Sequence, residues 1–186
     1  MGNSIDFLAI FEEIIEKIRN EYLSYNFFTE RDFEWTVQKY FGEFINKNNL
    51  PYEIFNNHPI AKGKIVDLAV VNKGTSYRAI SQRGAVAEFI IEFKFEPSMR
   101  RSDFCDGKLE QAVCFWSEIS KDIERINHFV EEKKTKSAVA VLVDEFGRFR
   151  NKEISSQSRW IDWGSFGNDL YNVSLLWTSL PEKSLD

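Results

Sequence analysis

Residues 85–95 read AVAEFIIEFKF, an apolar, β-branched and aromatic run that carries three charges, Glu88 toward its start and Glu92 and Lys94 where a buried strand has no use for them. Strand alternation puts Glu88, Ile90, Glu92 and Lys94 on one face, with Glu92 and Lys94 about 7 Å apart along the chain. Upstream, residues 64–72 (KIVDLAVVN) form a second apolar run, interrupted by Asp67. The polar residues 73–84 between them contain Gly74 and Gly84, which suits a loop or hairpin connection. Ionised groups inside apolar strands are costly unless they are paired or hold a metal. The two runs therefore predict adjacent strands whose carboxylates and ammonium meet at one place.

Outward from this pair the chain reads as alternating helices and strands. Phe7, Ile10, Phe11, Ile14, Ile15 and Ile18 recur at helical spacing, with Ser4 as a candidate N-cap. A second helix is expected from Thr29, where Thr29 and Asp32 resemble a capping box, to Asn48. Phe33, Val37, Tyr40, Phe41, Phe44 and Ile45 give it an apolar face. Residues 52–55 read as a short strand. A long helix is expected from Ser102 or Asp106 to Lys133, its buried stripe marked by Leu109, Ala112, Val113, Trp116, Ile119, Ile123, Ile126 and Val130. Residues 137–143 (SAVAVLV) read as a buried strand. In the tail, residues 160–171 are expected to be partly helical and 172–178 a last strand. The expected fold is α/β, a mixed central sheet flanked by helices.

Two carboxylates and an ammonium at one place answer a definite chemical need. Cleaving a phosphodiester adds negative charge to a phosphorus already ringed by oxygens; Mg²⁺ held by carboxylates offsets that charge and lowers the pKa of a bound water. Mg²⁺ takes oxygen ligands and keeps several waters, so two carboxylates and a carbonyl suffice. A lysine beside it orients the water or neutralises the phosphate. The E-x-K text alone is nearly uninformative: Glu131-Glu132-Lys133, Glu132-Lys133-Lys134 and Asp106-Gly107-Lys108 offer similar spacings in polar surroundings. Strand context and the upstream Asp67 single out Glu92 and Lys94.

Asp67, then Glu92-Phe93-Lys94, then a helix resembles the PD-(D/E)xK, or restriction-endonuclease-like, nuclease superfamily, although Val66 stands where many members have Pro. The resemblance covers about 115 residues. It implies an αβββαβ core at about 29–145, an extra N-terminal helix (1–28) and a C-terminal extension (146–186), all in one nuclease-like domain. It also implies a Mg²⁺-dependent deoxyribonuclease, endo- or exonuclease, with Mn²⁺ as a substitute. Asp67, Glu92 and the Phe93 carbonyl are the implied metal ligands. Lys94 positions the water, Glu34 of the preceding helix assists the metal, and Gln111 of the following helix orients Lys94 or the phosphate. DNA is the expected partner ahead of RNA. Double-strand cutters of the superfamily often dimerise, so a homodimer or a protein partner fits as well. The alternative is a catalytically silent nucleic-acid- or protein-binding module on the same fold, alone or as a subunit of a phage-defence or counter-defence complex.

The remaining features weigh less. A net charge of −5 argues against coating nucleic acid by bulk electrostatics but is compatible with a metal-holding acidic site. Cys105 and Cys114 have neither zinc spacing nor an expected mutual disulfide, which suits reduced thiols in the cytoplasm. Neither a signal peptide nor a membrane span is expected. Glu12, Glu13 and Glu88 are rival carboxylates. His58 reads as a turn residue before Pro59, and His128 as a cation near a helix end. Arg78, Arg83, Arg100, Arg101 and Lys108 are candidate phosphate contacts. Trp160 and Trp163 read as packing residues ahead of base-stacking ones.

Overall fold

A computed structural model describes residues 5–25, 27–74, 86–98, 114–166 and 171–180. Among these, three α-helices accompany a six-stranded mixed sheet. The helices are α1 (Phe7–Asn20), α2 (Glu30–Lys47) and α3 (Trp116–Glu131). The strands are β1 (Tyr52–Ala61), β2 (Lys64–Asn72), β3 (Ala87–Glu96), β4 (Thr135–Asp144), β5 (Ser158–Phe166) and β6 (Tyr171–Leu180). Their order in the sheet is β1-β2-β3-β4-β6-β5. β3 and β4 are parallel, as a connection through α3 requires, and the other neighbours are antiparallel. From α2 to β4 the described elements run α-β-β-β-α-β.

The parallel centre explains why β3 is apolar on both sides. Phe89, Ile91, Phe93 and Phe95 face α1 and α2, in a layer shared with Phe11, Phe33, Phe41 and Trp177. Ile90 faces the other way, against Ile126 and Phe129 of α3. Phe11 is fully buried, and its ring meets those of Phe41, Phe89, Phe93 and Trp177, so α1 is part of the main core.

The capping box of α2 forms as expected. Asp32 Oδ2 accepts the Thr29 N–H at 2.8 Å, which fixes where the helix starts. α1 is capped instead by Asp6, whose Oδ1 accepts the N–H groups of Leu8 and Ala9; Ser4 lies outside the described residues.

Three sequence expectations are corrected. β1 runs on to Ala61, so His58 is a buried strand residue and not a turn. Pro59 is compatible with this because β1 is an edge strand. Residues 160–166, expected to be partly helical, belong to β5, which pairs with β6 and bends at Gly164 (φ 95°). The expected long helix does not pass through Cys114 and Phe115. Phe115 is extended (φ −111°, ψ 145°), its N–H bonds Glu118 Oε2 at 2.9 Å, and α3 starts at Trp116. Leu109, Ala112 and Val113 lie outside the described residues.

Candidate functional site

The site forms where β2 and β3 part. Their ladder runs Val70↔Phe89, Ala69↔Ile90, Leu68↔Ile91 and stops, one pair short of Asp67 and Glu92. Val66 and Leu68 lie in opposite core layers, which strict alternation forbids, so β2 turns over at Asp67. Asn57 of β1, between the pairs Asn56↔Leu68 and His58↔Val66, takes a left-handed conformation (φ 48°) at the same level. Asp67 is thus released from the ladder, and its Oδ2 accepts the Phe93 N–H at 2.7 Å.

Two more carboxylates come from the first turns of α2. Glu30 and Glu34 are four residues apart and so share a helix face. One carboxylate oxygen each from Glu30, Glu34 and Asp67 lie within 4.8 Å of one another. Glu34 is 6% exposed. Burial, together with the charges of Asp67 and Glu30, pushes its carboxyl up to about 7; Arg31 and Lys94 oppose this. Burial also raises Glu30, against the pull of Lys94.

Lys94 is enclosed by acceptors. Its Nζ donates to Phe93 O at 2.9 Å and to both Glu30 oxygens at 3.2 and 3.3 Å. It also lies 3.2 Å from Asp122 Oδ2, an ion pair off the hydrogen-bonding axis. Burial alone lowers the ammonium, but Asp122, Glu30 and Asp67 outweigh it and hold the pKa well above its ordinary value. These three carboxyl groups favour the charged form of Lys94.

Glu92 behaves differently from expectation. It is 1% exposed, and its Oε1 accepts Arg125 Nε at 2.9 Å while Oε2 accepts Arg125 Nη2. This fork is the geometry of a carboxylate with a guanidinium. Burial and the Asp67 charge push Glu92 up, and Arg125 opposes them. Arg125 Nη2 also lies 2.8 Å from Asp122 Oδ1.

Of the residues expected from sequence, the structure brings together Asp67, Glu34, Phe93 and Lys94. It keeps Glu92 beside them, engaged by Arg125. Gln111, Cys105, Arg78, Arg83, Arg100, Arg101 and Lys108 lie outside the described residues. The sequence reading missed Glu30, Asp122 and Arg125. Two of the three rival carboxylates serve elsewhere: Glu12 pairs with Arg159 at 3.1 Å and Glu88 with Lys136 at 2.7 Å. Trp163 is buried in the main core. Cys114 is a buried free thiol whose N–H bonds Glu96 Oε2 at 3.0 Å.

The donor set fits a small, hard divalent cation. Octahedral oxygens at about 2.1 Å from Mg²⁺ stand about 3–4 Å apart, so a trio within 4.8 Å needs only a slight contraction. The Phe93 carbonyl, which accepts from Lys94 Nζ at 2.9 Å, is a further neutral oxygen beside that lysine. Among the described residues, no helix is long and apolar enough to cross a membrane. Comparison of the chain with family models, curated proteins and solved structures returned no match.

Proposed function

We propose that this chain is a divalent-metal-dependent nuclease of the restriction-endonuclease-like kind, hydrolysing phosphodiester bonds of DNA with water as the nucleophile. One observation carries the reading: Glu30, Glu34 and Asp67 converge from a helix and a strand beside a lysine that bonds Glu30 and a strand carbonyl. Glu30, Glu34, Asp67 and the Phe93 carbonyl would hold the metal. Bound there, Mg²⁺ supplies charge neutralisation at the phosphate and a lowered pKa for water.

The chain's own residues do the positioning. The Phe93 N–H fixes the orientation of Asp67, which would otherwise sample several rotamers where the β2–β3 pairing stops. Glu30, Phe93 O and Asp122 hold the Lys94 ammonium where it faces a phosphate at the carboxylates. Gln111 keeps its proposed role of orienting Lys94 or the phosphate.

A second reading is favoured by the Glu92–Arg125 fork, which engages a carboxylate expected to ligate metal. On that reading the fold is a binding module without catalysis. Incubation with supercoiled plasmid, single-stranded DNA and RNA separates the two, in Mg²⁺ or Mn²⁺ against chelator. The nuclease reading expects metal-dependent cleavage of DNA that disappears in Lys94→Ala and Asp67→Asn. A folded wild type that cuts none of these substrates decides for the binding module, and cleavage of RNA alone overturns the DNA assignment.

A further inference from the structure

The two cations of the site differ in what they have left to give. An ammonium carries three N–H groups, and Lys94 faces acceptors on three sides: Glu30, Phe93 O and Asp122. Its side chain is only 20% exposed. A guanidinium carries five N–H groups in a plane. Arg125 turns Nε and Nη2 toward Glu92, with Asp122 also beside Nη2. Its Nη1 makes no hydrogen bond or ion pair among the described residues, and the side chain is 36% exposed. The fork on buried Glu92 fixes the guanidinium plane, so the two N–H groups of Nη1 are held in a set direction.

From this spare and fixed donor pair we infer that Arg125 seats a phosphate of the substrate next to the metal-holding carboxylates. The inference rests on the nuclease reading and adds to it a specific anion contact on α3. Glu92 acts through Arg125: its carboxylate orients the guanidinium and is a positioning residue on this account. The surrounding charge also sets a condition. Five carboxylates (Glu30, Glu34, Asp67, Glu92 and Asp122) surround Lys94 and Arg125. A divalent cation that offsets the negative charge of these groups therefore favours the entry of an anion. Metal thus strengthens phosphate binding, and by linkage phosphate strengthens metal binding by the same factor.

The test compares wild type with Arg125→Lys, which keeps the charge beside Glu92 but has no spare planar donor pair. Three quantities are measured. They are Mn²⁺ affinity by calorimetry, affinity for a labelled single-stranded oligonucleotide in Ca²⁺ by anisotropy at several salt concentrations, and the heat of inorganic phosphate binding in Mg²⁺. The expected result is unchanged Mn²⁺ affinity, oligonucleotide binding weakened about tenfold, and a salt dependence flatter by about 0.7 in log–log slope, one phosphate contact on a single strand. Oligonucleotide affinity and slope equal to wild type overturn the phosphate seat and leave the nuclease reading standing. Loss of Mn²⁺ affinity alongside makes Arg125 a support of the carboxylate cluster and also overturns the seat. If wild type binds Mn²⁺ but no oligonucleotide, the nuclease reading falls. The phosphate heat then decides: a heat abolished by Arg125→Lys keeps the seat as an anion site, and its absence removes it. Should Arg125→Lys not fold, Arg125→Met combined with Glu92→Gln leaves no unpaired buried charge and is read in the same way.

Discussion

Asp67 Oδ2 lies 2.7 Å from the Phe93 backbone nitrogen and takes the hydrogen bond that a ladder partner on β2 would otherwise take. One carboxylate thus ends a strand pairing and opens a site. Asp67→Asn retains an oxygen that accepts the same N–H, so it is expected to leave thermal stability almost unchanged while abolishing Mn²⁺ binding. Asp67→Ala leaves the Phe93 N–H without its partner and costs about 1–3 kcal/mol in urea unfolding. Equal stability of the two variants would show that the hydrogen bond does not hold the strand.

Glu30 links the metal cluster to Lys94, and its substitution separates function from stability. Its ion pair with Lys94 is partly solvated, the two side chains being 33% and 20% exposed, so Glu30→Gln changes stability by about 1 kcal/mol or less. As a proposed metal ligand Glu30 matters at least as much as an outer partner of such a site, so cleavage is expected to fall by about 10–100-fold or more. Initial rates on plasmid check this, and wild-type rates would remove Glu30 from the site.

Arg125 and Glu92 form a coupled pair. Arg125→Met leaves an unpaired carboxylate that is 1% exposed and is expected to cost about 2–4 kcal/mol. That is less than for a fully enclosed pair, because Arg125 keeps a third of its side chain in solvent. Arg125→Met with Glu92→Gln removes the charge and recovers most of the loss. A double-mutant cycle in urea measures the coupling; additive losses would mean that the two groups do not depend on each other.

Glu34 sets the pH dependence. Its carboxyl is raised from 4.5 to about 7 in the folded chain, chiefly by burial. A raised acid contributes stability that is complete below its unfolded pKa and is lost as pH rises through the folded value. The metal-free protein is therefore expected to lose stability between about pH 4.5 and 7. Metal binding needs the ionised form, so Mn²⁺ affinity should rise over the same range and level off above it. Thermal melts with chelator, and calorimetry across that range, test both slopes. In Glu34→Gln the loss of stability over that range should shrink.

Much of this was legible in the sequence, for identifiable reasons. Asp67, Glu92 and Lys94 stand out because charge inside a β-branched run has few structural uses, and the element order from α2 to β4 follows from the change of hydrophobic period. Glu30 was not legible in isolation. An acidic residue in the first turn of a helix is ordinary, since it suits the helix dipole. Its four-residue spacing to Glu34 was the available clue. Asp122 and Arg125 were hidden for another reason: α3 was read for its apolar stripe, whereas Asp122, 7% exposed, falls within that stripe between Ile119 and Ile126. The extension of β1 and the strand nature of β5 were masked by residues that usually punctuate: Asn56-Asn57-His58-Pro59 in one, Gly164 in the other. Both lie on edge strands, where such residues are tolerated.

The central claim is that Glu30, Glu34 and Asp67 hold a divalent cation, and Mn²⁺ titration of the chelator-treated protein by calorimetry at pH 8 tests it most directly. The account predicts saturable binding that is lost in Asp67→Asn and in Glu34→Gln and kept in Glu12→Gln, a helical carboxylate outside the site. No saturable binding by the folded wild type, or binding that survives both site variants, would contradict it.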